Sequence, residues 1–125
     1  MTTHAAYTPN AYRANAILTA SHGQQIVMLY DGARRFLFQA ATAMSEGQGV
    51  AAHNKLTRAE DIIRHLRNTL DMSQGLLPER LNAIYSFALS HLRQARVEQD
   101  AGKLEEISDL LGRLRDSWAA VSDDE

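Results

Sequence analysis

The chain offers few side chains whose type and spacing could do covalent or redox chemistry. Its 125 residues include no cysteine, which removes thiolate nucleophiles, iron–sulfur clusters, thiolate zinc sites and disulfide frameworks. Five histidines remain as bases or ligands: His4, His22, His53, His65 and His91. They stand singly. A di-iron helical bundle needs Glu-x-x-His on two helices, and no Glu-x-x-His occurs; Glu60 and His65 fall on different faces of a helix. Histidine phosphotransfer is the reaction that a four-helix module of this size could still support. The nearest stretches are His53-Asn54-Lys55-Leu56 and His65-Leu66-Arg67-Asn68, and both lack the glycine just past a lysine that keeps such a histidine uncrowded. There is no glycine-rich phosphate loop, Gly-x-Ser-x-Gly elbow or EF-hand loop. The adjacent carboxylates Glu60-Asp61 and Glu105-Glu106 diverge around a helix and read as solvated charges rather than an acid/base dyad. Tyr30-Asp31-Gly32 is less ordinary. A glycine inside a helix costs about 1 kcal/mol relative to alanine, so Gly32 is either accidental or marks close approach of another backbone.

The elements that carry these residues are helical. Before residue 20 the chain is small and polar, with Tyr7, Pro9 and Tyr12 and little periodicity, and reads as an extended or partly helical arm over residues 1–20. Ser21 and Gln24 have capping-box spacing. From there the apolar positions Ile26, Leu29/Tyr30, Ala33, Leu37, Ala40/Ala41 and Met44 recur every three or four residues, the signature of one buried helix face. Glu46-Gly47-Gln48-Gly49 stops this first helix. A second fits Val50 to about Met72, with Ala52, Leu56, Ala59, Ile63, Leu66 and Leu70 as its stripe and Gly75 as its C-terminal cap. The third opens at Leu77-Pro78 and runs through Leu81, Ile84/Tyr85, Ala88, Leu92 and Ala95 to Asp100-Ala101-Gly102. The fourth carries Leu104, Ile107, Leu110/Leu111, Leu114, Trp118 and Val121. Short breaks between four helices predict an all-α, antiparallel up-down four-helix bundle over residues 21–121, followed by an acidic tail at 122–125.

Composition narrows the function classes. Apolar residues make up 45% and charged residues 22%, as in an ordinary globular domain. Thirteen basic against fifteen acidic residues give no basic excess for a nucleic-acid partner. The longest aliphatic run, Ile26 to Leu29, is far short of the ~20 residues that span a bilayer. No secretory signal is readable, so a cytoplasmic protein without membrane insertion is expected. No cofactor or metal is called for, and enzyme chemistry finds no foothold.

What remains is surface. Met28 and Phe38 lie off the stripe of the first helix, Phe87 flanks that of the third, and Ile62-Ile63, Leu76-Leu77 and Leu110-Leu111 are doubled. Core-facing helices have broad apolar faces, which accounts for some of these residues. The others suit grooves that accept an amphipathic segment from a partner.

An ordered set of stretches carries a family likeness. It runs from Ala6-Tyr7 through Thr19-Ala20-Ser21, Met28-Leu29-Tyr30-Asp31-Gly32-Ala33, Lys55-Leu56-Thr57-Arg58-Ala59-Glu60-Asp61-Ile62-Ile63 and Leu70-Asp71. It continues with Leu81-Asn82-Ala83-Ile84-Tyr85, Leu110-Leu111 and Leu114-Arg115-Asp116-Ser117-Trp118. Together these strongly resemble the FliS family of bacterial flagellin export chaperones, over about residues 6 to 119. Two departures stand out. His22-Gly23 replaces the family's usual proline after Thr-Ala-Ser, and Gly75 is what is left of a glycine pair before the third helix.

The resemblance implies a cytoplasmic chaperone that binds the disordered C-terminal segment of flagellin, prevents its premature polymerisation, and supports delivery to the gate of the flagellar type III export apparatus. It also implies an N-terminal segment able to fold over the apolar surface and move aside for the client. The expected partner-binding residues are Tyr7 in the arm and Leu29, Tyr30, Ile62, Leu66, Leu70, Leu81 and Tyr85 in the grooves, with Asp31 as a polar orienting group. Each groove position could instead belong to the core. Self-association is left open.

Overall fold

Small residues in the first helix decide how the chain packs. Gly32, Ala33, Ala40, Ala41 and Ala43 are all buried, and with so little side chain in the way two neighbouring helices come close. The computed structural model describes residues 22–122. Within them lie α1 (His22–Ser45), α2 (Gly49–Asn68), a 3-10 turn (Met72–Gln74), α3 (Leu76–Glu98) and α4 (Ala101–Ser122). The described residues contain no strand, and the expected antiparallel bundle is what forms. α1 packs most extensively, against both α2 and α4, while α3 closes the bundle from the opposite corner against those same two helices. Leu56 and Ile63 of α2 and Leu104, Ile107 and Leu111 of α4 are buried and fill the space that the α1 alanines leave. Each such side chain taken from water contributes about 1.5–3 kcal/mol. The arm with Tyr7 and Tyr12, the Ser21 half of the capping box, and Asp123-Asp124-Glu125 lie outside the described residues.

The first helix stops as expected and the second does not. Gly47 sits at φ 74°, with Gln48 N–H donating to Ala43 C=O at 2.8 Å and Gly47 N–H to Met44 C=O at 3.2 Å. This is a Schellman cap, which places its fifth residue in the left-handed region where glycine has no Cβ penalty. α2 ends at Asn68, about four residues earlier than the periodicity predicts. The Thr69 hydroxyl folds back onto Leu66 C=O at 2.9 Å, and Asp71 then holds the 3-10 turn by accepting from the Ser73 amide and hydroxyl and from the Gln74 amide. Gly75 is therefore no C-terminal cap of α2. At φ 98°, ψ −149° it leads into α3 through a backbone region that is essentially glycine's alone.

α3 ends in a related cap that shares the outer bond of α1, with Asp100 N–H donating to Ala95 C=O at 3.0 Å, but the left-handed residue is Gln99, at φ 54°, whose own N–H also donates to Ala95 C=O. A side chain there costs energy that glycine avoids. Gln99→Gly is expected to raise stability by about 0.5–1 kcal/mol, net of the lost contact from the Gln99 amide to Arg96 C=O. Chemical denaturation, with an unchanged slope, checks it. Asp100 next caps α4, its Oδ1 accepting from Gly102 N–H at 3.0 Å.

Two polar contacts cross the interior. One corrects the reading of Glu60 as a solvated charge: it is only 4% exposed, and both its oxygens accept from Arg96 of α3, at 2.8 and 2.9 Å. Arg96 also donates to the Thr57 hydroxyl at 3.2 Å and to His53 Nδ1 at 3.1 Å. The Glu60 carboxylate raises the Arg96 pKa.

The other contact joins the diagonal helices. The Tyr30 and Tyr85 hydroxyls are hydrogen-bonded to each other across the core, and both rings are buried. Burial raises both phenol pKa values above the ordinary 10.0, and for Tyr85 the bond to Tyr30 pushes in the same direction. Both groups fold as neutral phenols. Their contribution is therefore fully present below pH 10, the value of an unfolded tyrosine, and is lost as pH climbs above it. Stability should fall above pH 10, and tyrosinate absorbance from these two residues should appear only with unfolding. A spectrophotometric titration of the chain against its Tyr30→Phe variant reads this.

Of the two readings left open for Gly32, close approach of another backbone is not the one the structure favours. The glycine is buried, but it faces the tip of a side chain and not a neighbouring backbone: an added Cβ would stand 3.5 Å from Ile62 Cδ1, an ordinary van der Waals contact.

Candidate functional site

Antiparallel helices joined by short turns bring four termini to each end of the bundle. At the end where α1 begins, the start of α3 and the last turns of α2 and α4 meet it, together with the 3-10 turn. Half of the large apolar residues left uncovered gather here. Met72, Leu76, Leu77 and Val121 are four of the eight large hydrophobic side chains exposed among the described residues, with Leu76 and Leu77 64% and 61% exposed. Pro78 at the third position of α3 needs no amide partner in that first turn.

Beside them opens a cavity of about 240 Å³. Its apolar walls come from Ile26 of α1, Leu66 at the end of α2, Leu70 in the link that follows, Leu77, Leu81 and Tyr85 of α3, and Trp118 of α4. His22, Thr69, Asp71 and Gln74 supply the polar rim. Hydrogen bonds from the Ser73 hydroxyl and amide, and then from Gln74, hold the Asp71 carboxyl below its usual range, so the rim carries a fixed negative charge at neutral pH. Such a site can take up apolar side chains and orient a donor at its edge. It offers no nucleophile paired with a base, and among the described residues no group of three or more His, Cys, Asp or Glu side chains converges as a metal site.

Four of the nine sequence-predicted residues, Leu66, Leu70, Leu81 and Tyr85, line this cavity. Leu66, Leu81 and Tyr85 are at the same time buried in the core, so they show a partner little more than an edge. Tyr30 is wholly buried and reaches the site only through its bond to Tyr85. Leu29 and Ile62 are partly buried against the core and do not line the cavity. Asp31 is drawn into the bundle's own structure, accepting from Arg115 Nε of α4 at 3.0 Å and raising the Arg115 pKa. Tyr7 lies outside the described residues. Sequence reasoning gave Ile26 and Trp118 to the core stripes. The up-down order itself could have placed them at the site, because it brings the first turn of α1 and the last of α4 to one end.

The described histidines do not form a reaction centre. His53 accepts from Arg96, His91 stacks on Phe87 with ring centroids 5.3 Å apart and contacts Glu106 at 2.8 Å, and His65 is exposed. Nothing in this arrangement favours phosphotransfer.

The family profile described as "Flagellar protein FliS" matches residues 4–125. The chain belongs to the FliS family. The flagellar secretion chaperone FliS of Salmonella typhimurium is 33% identical over 110 residues, covering 86% of this chain and 82% of the relative. FliS of Bacillus subtilis is 32% identical over 108 residues, or 86% and 80% of the two chains. FliS of Escherichia coli is 32% identical over 106 residues, or 83% and 78%. No helix among the described residues is long and apolar enough to cross a membrane.

Proposed function

We propose that this chain is a cytoplasmic flagellar secretion chaperone whose client is the C-terminal segment of flagellin, held at the apolar end of the bundle. The observation that carries the reading is the cavity walled by Leu70, Leu77, Leu81 and Trp118, set beside exposed Met72 and Leu76. Monomeric proteins seldom leave such residues side by side unless a partner covers them. An amphipathic segment that satisfies its own main chain by turning helical presents apolar anchors at i, i+3, i+4 and i+7. With those faces covered, the segments cannot pair with one another before export. Release at the export gate completes the role. Tyr7 belongs to an arm that covers this end in the absence of client and gives way to it.

A titration of the full chain with a peptide from the C-terminus of the same organism's flagellin tests the proposal. Saturable heat, a negative heat-capacity change and a gain in helicity are expected, because ordering the segment accompanies burial. Binding that does not saturate, or that adds no helix, overturns it. Removal of residues 1–17 should tighten the same titration, and unchanged affinity would assign the arm no capping role.

A further inference from the structure

The opposite end of the bundle carries a second feature that the client site does not use. Phe38 of α1 is 71% exposed and stands as a ridge between two grooves. The larger, about 420 Å³, runs between α1 and α4 over Leu37, Ala41, Thr42, Leu104 and Ser108. The smaller, about 270 Å³, runs between α1 and α2 beside Gln39, Ala43 and Ala51.

The charge around this ridge is one-sided. Glu46, Glu105 and Asp109 border the larger groove, and none of them makes an ion pair or side-chain hydrogen bond among the described residues. Glu46 follows the last turn of α1, where the helix dipole is negative and a carboxylate is disfavoured. On the other side of the ridge the Gln39 side-chain oxygen is buried without a partner. The nearby cations are turned elsewhere. Lys55, in the smaller groove, lies over the Phe36 ring 5.7 Å from its centroid, and Arg34 reaches only Ser108, at 3.4 Å. The surface thus offers an apolar ridge and unanswered acceptors. An occupant must bring apolar anchors and positive donors, and an anionic lipid surface would be repelled.

We infer that the α1/α4 groove beside Phe38 docks a basic amphipathic helix of a second partner protein, separate from the flagellin client. Its apolar side chains pack along Phe38 and over exposed Thr42, and lysine or arginine side chains answer Glu46, Glu105 and Asp109. A site at the far end from the client cavity leaves both open at once, so a loaded chaperone can still be recognised.

The test uses the full chain, labelled for amide spectra, and a synthetic amphipathic helix of leucine and lysine, with its leucine and glutamate counterpart as control. Expected are saturable binding of the basic helix, amide shifts confined to the neighbourhood of Phe38, Thr42, Leu104 and Ser108, weakening by added salt, and no binding of the acidic helix. Phe38→Ala should weaken binding roughly tenfold, as should the double change Glu105→Gln with Asp109→Asn; all three residues are surface positions, and unchanged melting confirms the fold. Binding that ignores both variants, shifts centred on the client cavity, or equal binding of the acidic helix overturns the inference. So does a flagellin peptide that shifts these same amides, since the groove would then be part of the client's track.

Discussion

Arg96→Ala is expected to cost about 3 kcal/mol of stability, with a melting temperature lower by roughly 10 °C or more. The reason lies on the other helix. Glu60 is almost fully buried, and both its oxygens are answered only by the Arg96 guanidinium. With that fork removed, the carboxylate stays in the α2–α3 interface without a counter-charge. Losses of 3–5 kcal/mol are typical when one partner of a buried pair is deleted, and the lower end applies because 26% of the Arg96 side chain still meets water. Arg96→Lys should recover only part of the loss, since an ammonium cannot reproduce the two parallel bonds. Replacing both partners with apolar residues of similar volume should come close to the parent stability, because neither charge is then buried alone. Thermal and denaturant unfolding of the four proteins measures these differences. An Arg96→Ala chain that melts with the parent would show that Glu60 finds water instead.

The second large effect is on binding. Leu77→Asp is expected to weaken the flagellin segment about 30-fold or more, the cost of truncating an apolar hot spot and adding an unpaired charge, while stability changes by less than about 0.5 kcal/mol. Leu77 is well exposed and borders the proposed client cavity, so the folded chain loses little by giving it up. Its place in the first turn of α3 even favours a carboxylate, as Glu79 in the same turn illustrates. Calorimetry against the flagellin peptide, beside a melting curve of the variant, separates the two quantities. An affinity within threefold of the parent would remove Leu77 from the client surface.

What could be read from the sequence was what repeats within one helix. Ala33, Leu37 and Ala40 fall in register, and α1 buries them. The end of α2 was not legible, because it depends on a threonine hydroxyl turning back and on an aspartate capping a separate turn, local bonds that apolar periodicity does not record. Glu60 was misread for a different reason. Its partner lies on the next helix, beyond the reach of any spacing argument, although its place four residues after Leu56 and three before Ile63 put it on the buried stripe. Of the candidate site, Leu66, Leu70, Leu81 and Tyr85 were named from the sequence and line one cavity, while Ile26 and Trp118 join them only because helix ends meet, which is a property of topology.

Trp118 has one further consequence. It is the only tryptophan in the chain, it forms part of the wall of the proposed client cavity, and Tyr30, one of the two hydrogen-bonded phenols, has its hydroxyl beside it. A single indole at that spot makes the molecule its own optical gauge. Its emission moves to the blue when the cavity fills and water leaves, and the neighbouring tyrosines feed it excitation only while the bundle is closed. Loading and unfolding therefore leave different colours in one unlabelled chain.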